Sequence, residues 1–181
     1  ANCLNSQHSH LTEEVFVVHH GKWDFVTGVD ATDGRVSLNS GDIISLPMDI
    51  FRGFECIQGL SSGAHKGLGY LHAVLGGDDP GRVLWAPKVF DMAKYYGLIL
   101  LDDGSLIDTI AGESIPTGKK PMLVTNAQQI AEHRFVDSDA LNQYVIRTAD
   151  FDWQSNTALS KFEGVCEVSL IGGDSTEEGI V

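Results

Sequence analysis

His8-Ser9-His10-Leu11-Thr12-Glu13-Glu14-Val15-Phe16-Val17-Val18-His19-His20-Gly21 is the stretch on which the reading of this chain turns. His8 and His10 are two residues apart, so on an extended strand both imidazoles leave the same face. Glu14 follows, then the apolar run Val15 to Val18, and Gly21 closes it. Two imidazoles and a carboxylate converging inside a sheet offer three ligands to one side of a divalent transition metal and leave its other positions open. His-x-His is also a common strand pattern, and a lone glutamate is usually solvated, so spacing by itself leaves both readings standing.

A second block, Gly41-Asp42-Ile43-Ile44-Ser45-Leu46-Pro47, lies downstream. His8-x-His10, Glu14 and Gly21, followed by this block, resemble the two signature motifs of the cupin superfamily, well matched over Gln7 to Asp79. The resemblance implies an all-β fold, a cupin barrel (double-stranded β-helix, jelly-roll type), with a divalent metal held by His8, His10 and Glu14. Fe(II), Mn(II), Ni(II) and Zn(II) all accept imidazole and carboxylate, and the sequence does not choose among them. Phe16, Val18 and Phe54 would line the wall below the metal, Phe16 and Phe54 within reach of a substrate. A metal with open positions binds oxygen and a chelating molecule together, so the enzyme reading is a quercetin dioxygenase-like cupin acting on a small organic substrate. Two other classes stay open: a cupin that binds a small ligand without chemistry, and a degenerate barrel serving as the structural half of a two-barrel protein.

The chain departs from the pattern in two places. Where the second motif usually carries a glycine and its metal-binding histidine, this chain has Asp49 and Arg52. A guanidinium stays protonated, cannot ligate and repels a dication. Arg52 either pairs with Glu14 in place of the metal or anchors a substrate carboxylate beside it. His72, on a later strand, is a further candidate ligand. Where the first motif usually opens on a glycine, the chain has Asn2, so it is expected to start inside a barrel, as a fragment of a longer bicupin.

Composition narrows the partners. The 181 residues carry a net charge of −13, which argues against a nucleic-acid partner. No apolar run approaches the roughly 18 residues of a membrane span. Cys3, Cys56 and Cys166 are odd in number and lack metal spacing, which predicts reduced thiols and a cytoplasmic setting. Unpaired strand edges of an incomplete barrel predict a homodimer.

The expected organisation is a barrel over 1–80, a helix, hairpin and linker over 81–118, and the start of a second cupin-like unit over 119–181. Glu14 to Val18 and Trp23 to Thr27 read as paired strands around His20-Gly21. Gln58 to Gly69 is a loop, and Tyr70 to Leu75 a strand. Pro87 to Tyr96 reads as a helix stopped by Gly97. Leu98–Leu101 and Ser105–Ile107 flank the Asp102-Asp103-Gly104 turn. Ala111 to Pro121 is the expected linker. Leu141 to Arg147 and Val165 to Ile171 read as strands, with Trp153 between them.

Overall fold

The computed structural model describes residues 4–77, 79, 81–151 and 161–165. Its strands are β1 (Leu4–Ser9), β2 (Glu14–His20), β3 (Lys22–Thr27), β4 (Gly34–Leu38), β5 (Ile43–Leu46), β6 (Arg52–Gln58), β7 (Tyr70–Leu75) and β8 (Leu84–Trp85). Helix α1 (Pro87–Tyr95), the hairpin β9 (Leu98–Leu100) and β10 (Leu106–Asp108), short helices α2 (Ala127–Ala131) and α3 (Ser138–Asn142), and β11 (Val145–Ile146) follow.

Two antiparallel sheets face each other, one ordered β4-β3-β6-β1-β8 and the other β11-β5-β2-β7. Successive strands repeatedly cross from one sheet to the other, the connectivity of a double-sheet jelly roll. The fold is mainly β. Period-2 alternation explains why these segments form it: Phe16 and Val18, Trp23 and Phe25, Val36 and Leu38, and Ile44 and Leu46 all point inward to one core. Phe16, Phe25 and Phe54 meet ring to ring at 4.8–5.6 Å in its middle.

The expected pairing of Glu14–Val18 with Trp23–Thr27 does not occur. β2 pairs with β5 and β7, whereas β3 pairs with β4 and β6 in the opposite sheet. The single residue between the two strands, Gly21, turns a corner at φ 97° rather than closing a hairpin. A Cβ there would stand 2.6 Å from the Gln58 carbonyl oxygen, so glycine is required. Alternating residues bury well in either arrangement, and the pattern is blind to which sheet a strand joins.

Beyond the loop at 59–69, α1 and the β9–β10 hairpin form where the sequence predicts them. The stretch Leu141 to Arg147 does not form one strand. Asp137 caps α3 by accepting from the Ala140 amide at 2.8 Å, and only Val145 and Ile146 then extend. The sheets also run past the boundaries expected at residues 80 and 118: β8 pairs with β1, and β11 pairs with β5. Val136 and Leu141 join the core. Thr27 donates its hydroxyl to the Val136 carbonyl at 2.6 Å, and Gly34 packs against Asp137, so the 133–148 segment closes one end of the barrel. Trp153 and most of Val165 to Ile171 lie outside the described residues. No described helix is long and apolar enough to cross a membrane.

Candidate functional site

β1 and β6 are neighbours in one sheet, and β2 faces them from the other. Strand parity turns His8 and His10 inward from β1 and its end, Arg52 inward from β6, and Glu14 inward from the first position of β2. His8 and His10 are 8% and 5% exposed, the Glu14 side chain 12% and Arg52 0%. One donor atom each from His8, His10 and Glu14 lies within 4.8 Å of the others, close enough for the three to hold a metal ion.

The imidazoles are oriented by fixed partners. His8 Nδ1 donates to the Ser6 carbonyl at 2.8 Å, which leaves Nε2 as the lone-pair nitrogen. Thr12 Oγ1 lies 2.9 Å from His10 Nδ1, and Glu14 Oε2 lies 3.4 Å from His10 Nε2. Burial lowers the pKa of both histidines, with the Arg52 charge acting in the same direction. His10 falls to about 4 and is neutral at pH 7. The neutral His10 ring carries one N–H and one lone pair, shared between the contact with Thr12 at Nδ1 and the contact with Glu14 at Nε2.

Arg52 is the cation of the site. Nη2 stands 2.7 Å from His10 Nε2 and 2.8 Å from Nδ1, and its Nε is 3.8 Å from Glu14 Oε2. Longer bonds at 3.3 Å run from Nη1 to the Ile50 carbonyl and from Nη2 to the Thr12 carbonyl, and Nε has no hydrogen-bond acceptor. The contact with Glu14 is thus a single ion pair rather than a two-pronged fork, and the main contact is with His10. Burial lowers the Arg52 pKa to about 10, which leaves it cationic at pH 7. Burial raises the Glu14 carboxyl and the guanidinium opposes that rise.

A metal on His8, His10 and Glu14 would need this cation to move aside. An ion bound at about 2.1 Å from His10 Nε2 would lie within about 5 Å of the guanidinium nitrogen. Three positive charges would then meet one carboxylate in a buried site, whereas Arg52 and Glu14 alone balance.

The other expected site residues lie apart. Phe16, 1% exposed, and Phe54 stack in the aromatic core, and neither lines the two cavities of about 850 and 210 Å³ that open on the surface. His72 is exposed on β7, opposite Val17, on the side of the sheet away from Phe16. His19 and His20 pair with each other near Tyr70, at the far end of β2 from Glu14. Two neighbours of the site escaped sequence reasoning. Trp85 stacks at 5.2 Å on His8, and His133 Nε2 meets Ser9 Oγ at 2.9 Å on the outer side of β1. Both come from segments remote in sequence, without a motif to flag them.

No family model matches the chain, and no curated protein matches it. Among solved structures it is similar to a vicilin from Corylus avellana (hazelnut), at 12% identity and a TM-score of 0.39, over 86% of this chain and 42% of that one. The chain therefore spans less than half of that protein's length. A likeness so distant assigns no function.

Proposed function

We propose that this cupin-like barrel is a non-catalytic module in which the Arg52–Glu14 ion pair, clasped by His10, takes the position that a metal would hold. In a two-barrel protein it would be the structural half. The observation that carries this reading is the fully buried guanidinium 2.7 Å from the very nitrogen a metal would need. Such a pair is retained because each charge would be costly alone: removing one partner of a buried pair costs about 3–5 kcal/mol.

A second reading has one observation in its favour. The Ser6 carbonyl, and Thr12 Oγ1 when it accepts from His10 Nδ1, preset both imidazoles to present Nε2, as outer partners of metal ligands do. On that reading a divalent metal sits on His8, His10 and Glu14, and Arg52 moves aside to anchor the carboxylate of a small organic acid. A dioxygenase of the quercetinase kind then becomes the activity.

Elemental analysis of the purified chain and of Arg52→His separates the two. The structural reading expects little metal in the wild type and about one equivalent in Arg52→His, where the usual fourth ligand is restored. One tightly held equivalent in the wild type, kept in Arg52→His with loss of affinity for acidic ligands, would overturn it in favour of the second.

A further inference from the structure

We propose that the cleft between β8, the β9–β10 hairpin and residues 120–125 binds an anionic amphiphile, a molecule with a hydrocarbon body and a single carboxylate. The cleft encloses about 850 Å³, within the roughly 300–1,000 Å³ of small-molecule sites. None of His8, His10, Glu14 or Arg52 lines it, so the inference is independent of either reading of that site.

Its walls are fixed by backbone. Residues 120–122 run beside the hairpin: the Asp102 amide donates to the Lys120 carbonyl and the Met122 amide to the Leu100 carbonyl, both at 2.9 Å. Leu101, fully buried, bridges to Pro121. On the other side Thr125, 5% exposed, donates its hydroxyl to the Trp85 carbonyl at 2.7 Å. Three separate segments are thereby held around one space, as in a preformed ligand site.

The lining decides the chemistry of the occupant. Leu84, Trp85, Leu100, Pro121 and Met122 supply an apolar surface, and Leu123, 87% exposed, continues it. Apolar surface left in water favours a hydrocarbon partner. Arg82 and Lys120 line the same cleft against one carboxylate, that of Asp102. The neighbouring Lys119 is taken by Asp103 at 2.6 Å. Neither Arg82 nor Lys120 has an ion-pair partner among the described residues. A chain of net charge −13 thus presents here a cleft in which cations outnumber anions. A single acid group on a hydrocarbon body matches both halves of that lining. A cationic amphiphile meets the same apolar wall with the wrong sign, and a polyphosphate finds too few cations beside too much apolar surface.

Trp85 makes the cleft observable, because its indole lines the space while Trp23 is 4% exposed in the core. The test titrates the 181-residue chain with decanoate and with decyltrimethylammonium, equal in chain length and opposite in charge, by calorimetry and tryptophan emission. Saturable decanoate binding with a change in emission is expected. The cation should bind at least about tenfold more weakly, the weight of one charge-assisted hydrogen bond. Arg82→Gln combined with Lys120→Gln alters two exposed side chains, and circular dichroism checks that the fold is kept. That double variant should lose at least about tenfold in decanoate affinity. Absence of decanoate binding up to about 1 mM, equal affinity for the two amphiphiles, or unchanged decanoate affinity in the folded double variant overturns the proposal.

Discussion

Replacing Arg52 with Met removes the one buried cation of the site while keeping most of its volume. Glu14, 12% exposed, is left beside a neutral His10 without a counter-charge. Breaking a buried pair costs about 3–5 kcal/mol. The lower end applies, because the lost bonds to Ile50 and Thr12 are long at 3.3 Å and Nε made none. For a domain of this size about 3 kcal/mol lowers the melting temperature by roughly 6–12 °C. The deficit also depends on pH. Burial already raises the Glu14 carboxyl, and without Arg52 it rises further above its unfolded value. In that window the native state holds a proton that the unfolded chain has lost, so stability falls as pH rises. Urea unfolding at pH 5 and pH 8 should show the larger deficit at pH 8, and adding Glu14→Gln should recover much of it. A deficit below about 1 kcal/mol, or one equal at both pH values, would refute the pairing.

The native chain should lose stability on acidification. His10 has its pKa lowered from 6.5 to about 4, so the unfolded state binds a proton first as pH falls through that interval. The loss grows as pH falls through that interval, and His10→Asn should flatten that limb of an unfolding titration. Gly41→Ala should cost on the order of 1 kcal/mol or more by thermal melting, since Gly41 sits at φ 95° with Thr148 Oγ1 2.9 Å from the added Cβ. Gly21→Ala should cost more than Gly41→Ala, because its obstacle is the Gln58 backbone rather than a side chain. Ser9→Ala should cost about 1 kcal/mol through the lost contact with His133.

Most of the site was legible because its residues are close in sequence and share strand parity. His8, His10 and Glu14 converge as their spacing implies. Arg52 was legible as the odd residue in a motif and Glu14 as its possible partner, but the closer contact with His10 was not: it is decided by side-chain reach, not by spacing. Phe16 and Phe54 were expected as cavity wall, but they stack ring to ring in the core, which inward alternation alone does not distinguish from a wall. The sheet assignment of β3 and the return of residues 133–148 onto the barrel were not legible. Both rest on contacts across the chain, for which local alternation carries no signal.

The closure of the barrel by residues 133–148 sets a timetable for synthesis. Thr27 waits for a partner 109 positions later, and Ser9 for one 124 positions later. A chain emerging at about 5–20 residues per second holds an unfinished barrel for several seconds, its core still lacking Val136 and Leu141. Contacts of such long range slow folding, because loop closure precedes any reward. Aggregation during expression should therefore depend on how quickly the stretch around Val136 arrives, and slowing translation just ahead of it should lower the soluble yield.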